Sequence, residues 1–180
     1  MVELSKRTAA KEGVSDLAKF AQGDMYEADI SRATVLALFL LPENLERLKP
    51  KFLELPPGAR IVMNGFAISG WNPDATEQSE GDCDAWCTAL LYVVPAKVAG
   101  RWSLPAGELA IEQKYQTLSG TFVAGGACMP VTNARLRGER ISFTANGSNY
   151  VGRVDGDTMS GTMEGGVSGA WSAVRTESNR

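Results

Sequence analysis

Ala33–Leu41 reads ATVLALFLL, followed by Pro42-Glu43-Asn44 and then by Pro57-Gly58-Ala59-Arg60-Ile61-Val62. An uncharged apolar run of this length is a buried strand, too short to cross a bilayer. Being apolar on both faces, it predicts a central parallel strand with helices on each side. Pro42 suits the first turn of a following helix, where its missing N–H costs nothing. Leu45, Leu48, Phe52 and Leu55 recur on one helical face. Pro50 predicts a kink or early end of that helix, and Pro56-Pro57-Gly58 stops it. Ala59–Phe66 (ARIVMNGF) is the next strand.

Toward the amino terminus, Val2–Glu12 predicts a helix that Gly13 closes in a left-handed cap. Leu17–Gln22 reads as a short strand, with Gly23-Asp24-Met25-Tyr26 at its carboxyl end. Strand and helix signals thus alternate over short connections, as a parallel α/β sheet requires. Ala67–Asp84 is polar and glycine-containing around an isolated Trp71. It predicts an excursion loop over the carboxyl edge of the sheet, where such folds bind ligands. Ala85–Val94 returns to an apolar strand.

After Pro95 the pattern changes to period two. Glu108–Leu118, Thr121–Val123, Arg140–Ala145, Asn149–Val154, Thr158–Met163 and Gly169–Arg175 read as strands. Between them lie Gly125-Gly126, Asn146-Gly147, Asp155-Gly156-Asp157 and Gly165-Gly166, all hairpin chemistry. The expectation is an antiparallel β-meander or small barrel of roughly six to eight strands. The fold class is therefore α/β followed by all-β, divided into residues 1–95 and 96–180. Gly100-Arg101-Trp102 resembles the Gly-X-Trp start of lipocalin-type barrels, although a tryptophan closing a barrel end is also a structural device. Asn146-Gly147-Ser148 fits a glycosylation pattern and equally a hairpin turn, which is the preferred reading.

Composition narrows the chemistry. With 21 acidic and 18 basic residues, and no basic block, the sequence does not support a nucleic-acid footprint of clustered Lys and Arg, and no nucleic-acid partner is expected. Histidine is absent, which removes Ser-His and Cys-His hydrolase mechanisms and His-ligated metal sites. Cys83, Cys87 and Cys128 form an odd set, predicting free thiols in a reducing cytoplasm. No signal-peptide pattern opens the chain. Glu77, Glu80, Asp82 and Asp84 surround two of the cysteines, but hard carboxylates and soft thiols at this spacing match no usual metal site. They predict a solvated acidic loop, or a surface that attracts a basic substrate.

About the first 95 residues, through the order that runs from Ala9 to Pro73, resemble the second half of a class I, seven-strand, Rossmann-like S-adenosylmethionine-dependent methyltransferase. More narrowly they are similar to the protein-lysine methyltransferases related to the ATP-synthase c-subunit enzyme. The strand ending Leu40-Leu41-Pro42, the entry Pro57–Val62 and Trp71-Asn72-Pro73 carry the likeness. The resemblance implies S-adenosylmethionine as cofactor and a protein lysine as acceptor. It implies that Asp24 and Met25 contact the adenine, that Leu40 and Leu41 wall the methyl-proximal pocket, and that Pro42 and Trp71 lie toward the substrate. Leu-Leu-Pro departs from the Asn/Asp-Pro-Pro-Tyr motif of amide-nitrogen methyltransferases, which argues against DNA adenine or glutamine. Val2–Glu12 resembles the helix after the family's ribose-binding acid, so this chain by itself is expected to bind the cofactor poorly.

The residues alone leave other roles open. Asp24 also fits an Asx turn, Leu40 and Leu41 fit a core, and Trp71 fits a packing anchor. A non-enzymatic small-ligand or protein-binding β-module on an α/β remnant is the alternative function.

Overall fold

The computed structural model describes residues 1–79, 83 and 86–177. Two compact units are present, Met1–Ile30 and Ser31–Arg180. The first contains helix α1 (Val2–Lys11), with Glu3 in its first turn and Lys11 in its last, the arrangement the helix dipole favours. Gly13 takes φ +69° just beyond it, as its sequence position predicts. Leu17–Gln22 is not a strand. The amides of Leu17 and Ala18 both donate to the Val14 carbonyl at 2.9 Å, and Leu17 is 87% exposed. A strand needs a ladder partner, and local turn hydrogen bonds occupy these donors instead.

The second unit opens with β1 (Val35–Leu38), α2 (Pro42–Leu53) and β2 (Arg60–Asn64). β1 and β2 pair in parallel, Val35 opposite Arg60 through Leu38 opposite Met63. Helix α2 is the crossover between them. Pro42 sits at its start, and Leu45, Leu48 and Phe52 are buried along one face. Pro50 lies inside the helix, which continues only to Leu53. The apolar run thus supplies a strand of four residues rather than nine, and it forms the sheet's edge rather than its centre. Val35 and Phe39 are 46% and 57% exposed. Apolar composition specifies a wish for burial; it does not specify how many neighbours a strand receives.

β3 (Ala75–Gln78) and β4 (Thr88–Val93) complete a mixed sheet ordered β1-β2-β4-β3. β4 is antiparallel to both neighbours, so parallel pairing is confined to β1–β2. β3 lies inside the stretch predicted as loop; its residues are polar because it is a half-covered edge strand.

The chain leaves this sheet at Val93 and enters a nine-stranded antiparallel sheet at Gly100. Its strands are β5 (Gly100–Leu104), β6 (Gly107–Lys114), β7 (Thr117–Ala124), β8 (Ala127–Pro130), β9 (Thr132–Arg137), β10 (Arg140–Ala145), β11 (Ser148–Asp155), β12 (Thr158–Gly165) and β13 (Gly169–Glu177). Successive strands pair as a meander, and β13 returns to pair with β5. The barrel-like sheet is nearly closed, its seam lying between β8 and β9, where the Val131 amide donates to the Gly120 carbonyl at 2.9 Å. Trp102, Leu109, Phe122, Ile141 and Met159 fill the interior and are at most 1% exposed.

The expected turns form where glycine and asparagine stand. Asn146 and Gly147 take φ +48° and +71°, the type I′ signature. Other turns were not predicted: Gly138, with φ +60°, links β9 to β10, and Glu108–Leu118 is two strands, reversed at Tyr115 with φ +54°. No glycine marks the Tyr115 turn. Gln113 instead donates to the Tyr115 and Ala96 carbonyls, each at 2.8 Å, and accepts from the Val98 amide at 2.7 Å.

Trp102 closes one end of the barrel. Its indole N–H donates to the Val98 carbonyl at 2.9 Å, and the Arg175 guanidinium lies 4.2 Å from its ring centre. Arg175 also donates to the Ala99 and Lys97 carbonyls and to Asp157. Gly100-Arg101-Trp102 therefore has its structural role here.

Candidate functional site

The carboxyl ends of the parallel strands β1 and β2 lie at one edge of the first sheet, the edge at which open α/β sheets hold ligands. Phe39 follows β1 and Phe66 follows β2; Trp86 reaches the same place just before antiparallel β4. The Phe39 and Phe66 ring centres are 6.5 Å apart, and each lies 5.1 Å from Trp86. Phe39 and Trp86 are 57% and 52% exposed, so the cluster presents aromatic surface to solvent.

The backbone around this trio is constrained. Gly65 has φ +79°, and a Cβ there would stand 2.6 Å from the Trp86 ring. Only glycine allows the indole to lie this close. Trp86 itself has φ +60°, unusual for a large side chain. Cys83 and Cys87 are joined in a disulfide with their Cα atoms 5.8 Å apart. This corrects the expectation of free thiols: odd counting leaves one cysteine over, and that one is exposed Cys128. The two cysteines are four residues apart in the chain, and their Cα separation is within the range a disulfide spans. Beside the trio is a cavity of about 460 Å³, lined by Leu38, Met63, Glu77, Trp86 and Thr88 among others.

The residues singled out from sequence take different positions. Leu40 is half-buried and Leu41 is 58% exposed, just after Phe39 at this edge. Leu41 is not a core residue: it is the residue before α2, its carbonyl accepting from the Asn44 amide at 3.0 Å. Pro42 is exposed at the helix start. Trp71 is 1% exposed, edge-on to Tyr92 at 5.3 Å and stacked on Tyr115 at 5.4 Å. It serves as an anchor between the first sheet and the β6–β7 turn, strengthened by Gln116 donating to the Asn72 carbonyl at 2.5 Å.

Asp74 lies between this anchor and β3. Its carboxylate accepts the Val93 amide at 2.7 Å. Burial pushes its carboxyl above the ordinary value, while the Val93 hydrogen bond and the Arg137 charge pull it down. In the first unit, the Asp24 carboxylate accepts the Tyr26 amide at 2.8 Å, an Asx turn, and Met25 is 39% exposed. Glu77 is exposed on β3; Glu80, Asp82 and Asp84 lie outside the described residues. Among the described residues no helix is long and apolar enough to cross a membrane.

Sequence reasoning missed Phe39, Phe66 and Trp86 as a group. In the sequence Phe39 belongs to an apolar run and Phe66 to a strand end, and only strand pairing brings the three together.

Residues 1–75 match the model of the ANTKMT methyltransferase domain. A protein-lysine N-methyltransferase of Saccharolobus islandicus (strain REY15A) is 45% identical over 85 residues, 47% of this chain and 52% of that protein. The ATP-synthase c-subunit lysine N-methyltransferase of Rattus norvegicus is 31% identical over 87 residues, 48% of this chain and 40% of that protein. A crystal structure of an RNA methyltransferase from Salinibacter ruber in complex with S-adenosyl-L-homocysteine is 40% identical, with a TM-score of 0.48, covering 54% of this chain and 61% of that one. The matched part of the chain spans about half the length of the archaeal relative and less of the rat one. Residues 1–75 are thus similar to methyltransferase domains, and the likeness to protein-lysine N-methyltransferases covers about half of this chain.

Proposed function

We propose that this chain is the carboxyl-terminal portion of an S-adenosylmethionine-dependent methyltransferase acting on a protein lysine, with residues 1–95 as the methyltransferase part and 96–180 as an appended barrel. The observation that carries the reading is the exposed Phe39–Phe66–Trp86 cluster at the carboxyl edge, two members of which, Phe39 and Phe66, lie within the segment that matches the methyltransferase domain. Aromatic faces suit the lysine stem and attract its ammonium group. Transfer to the amine also requires a neutral nucleophile, and an apolar surround lowers a lysine pKa by disfavouring the charged form. No histidine is needed for that.

The cofactor's chemistry fits the residues assigned to it. Asp24 uses one carboxylate oxygen locally and retains acceptor capacity for an adenine amine. Exposed Met25 offers an apolar contact for the ring, and Leu40 with Leu41 offers an apolar wall. S-adenosylmethionine would supply an activated methyl group; the chain's residues would orient it and exclude water. A cytoplasmic setting is part of the proposal, and the Cys83–Cys87 disulfide is the feature least typical of it.

The small-ligand alternative finds no support in the barrel, whose interior is filled by Trp102, Phe122 and their neighbours. Titrating S-adenosylhomocysteine and then N-acetyl-lysine methylamide into isotope-labelled chain, followed by NMR, tests the reading. Weak binding with shifts at residues 24–25, 40–42 and the aromatic trio is expected. Shifts confined to the barrel, or none at millimolar ligand, overturn it.

A further inference from the structure

A second feature lies at the opposite end of β2 from Phe66, on the outside of the barrel. Arg137 of β9 stands opposite Arg140 of β10, and Arg140 stands opposite Arg153 of β11. Directly opposed residues share a sheet face, with Cβ atoms about 5 Å apart. The row continues through Ser160 on β12 to Ser172 on β13, and all five residues are exposed. Arg60, the first residue of β2, lines the same cleft as the three arginines, a cavity of about 770 Å³. Arg135 is exposed two residues before Arg137, on the same side of β9. Five of the chain's eleven arginines, and none of its lysines, thus gather on this face of a chain whose net charge is −3.

Like charges directly opposite one another destabilise a sheet, so the row costs the fold something. Its acids offset it in part: Glu139 pairs with Arg153, and Asp74, whose carboxylate also accepts the Val93 amide, interacts with Arg137. The hairpin tip that sets the spacing is held in place. Gly138 has φ +60°, and a Cβ on it would lie 3.0 Å from the Gly58 Cα; its carbonyl accepts the Ala96 amide at 2.8 Å. Glu139 likewise accepts the Val154 amide at 2.8 Å. The guanidinium groups are therefore carried on a rigid frame.

We propose that this row is a track for the phosphate backbone of nucleic acid, held without regard to base sequence. Arginine forks and serine hydroxyls are the side chains that hydrogen-bond phosphate oxygens. No aromatic residue is among those lining the cleft, so base stacking contributes nothing there and the contact is to the backbone. An acidic protein segment fits less well: protein partners are held mainly by buried aromatic or apolar anchors, and the cleft offers only Val93 and Val151. The row is assembled from separate strands by register, so it leaves no block of basic residues adjacent in the chain.

The inference does not depend on the methyltransferase reading, because the two surfaces are at opposite ends of β2. Fluorescence anisotropy with the full chain tests it, using labelled oligo-uridylate and oligo-thymidylate, with poly-glutamate as competitor. Both oligonucleotides should bind at low salt with similar affinity. The logarithm of affinity should fall with the logarithm of salt at a slope of about −2 to −3, as expected for three or four phosphates on a single strand. Arg140→Gln should weaken binding about 5- to 10-fold and lower the slope by about 0.7, whereas Lys114→Gln, the same charge loss elsewhere, should change binding less than twofold. Circular dichroism should show both variants folded. Absent binding at 50 mM salt, an equal loss in Lys114→Gln, or displacement by poly-glutamate at matched charge would each overturn the proposal.

Discussion

The two sheets of the second unit treat their edges in opposite ways. The nine-stranded sheet curls until β13 meets β5, leaving only the short seam at Val131, and it packs its interior with tryptophan, phenylalanine and branched aliphatics. Among the described residues the four-stranded sheet remains open, with β1 as an edge strand and Val35, Phe39, Leu41 and Trp86 between 46% and 58% exposed. Closure removes edges and tolerates little change. An open edge leaves apolar and aromatic groups available to a ligand. The comparison sets a filled, closed core in the barrel against exposed aromatic surface on the first sheet, and makes the barrel the expected source of stability.

Variants can break that assignment, beginning with the largest effect. Trp102→Ala removes a fully buried ring at the barrel end and should cost about 3–5 kcal/mol in urea unfolding. Arg175→Ala, which removes the cation over that ring and several hydrogen bonds, should cost about 2–3 kcal/mol. A loss below about 1 kcal/mol for both would mean that the barrel is not the stabilising half. Gly65→Ala adds a Cβ at φ +79° against Trp86 and should cost about 1–2 kcal/mol, with a change in tryptophan fluorescence. Trp86→Ala should cost less than about 1 kcal/mol because the ring is half exposed, yet abolish the lysine-analogue shifts. Unaltered lysine binding in that variant would remove the aromatic trio from the site.

The smallest effect concerns pH. Burial holds the Asp74 carboxyl above its ordinary 3.8, with the Val93 hydrogen bond and Arg137 opposing. The folded chain therefore holds this proton more tightly than the unfolded chain. Its contribution to stability is greatest below the unfolded pKa and is lost as pH rises through the folded one. Asp74→Asn keeps an acceptor for the Val93 amide, so thermal melts should show its stability falling less than wild type as pH rises just above 3.8. Parallel pH profiles would show that Asp74 does not titrate differently in the two states.

Much of the architecture was legible because its signals are local. The α2 face of Leu45, Leu48 and Phe52, the Pro42 start and the Asn146-Gly147 turn all follow from periodicity or from the conformational freedom of a single residue. The Leu17–Gln22 strand and the Ala67–Asp84 loop went wrong where pairing, not composition, decides: one segment has its amides tied in a turn and the other borrows β4. Of the residues singled out from sequence, Leu40, Leu41 and Pro42 lie at the carboxyl edge of β1, whereas Trp71 is buried as an anchor.

By itself, then, the sequence determined a helix–strand segment followed by a β-meander, since hydrophobic period and turn chemistry act within a few residues. Tertiary structure alone decided that ATVLALFLL is an edge, that Phe39, Phe66 and Trp86 meet, and that Arg137, Arg140 and Arg153 form a row. Register between strands sets those juxtapositions, and register depends on contacts between residues far apart in the chain.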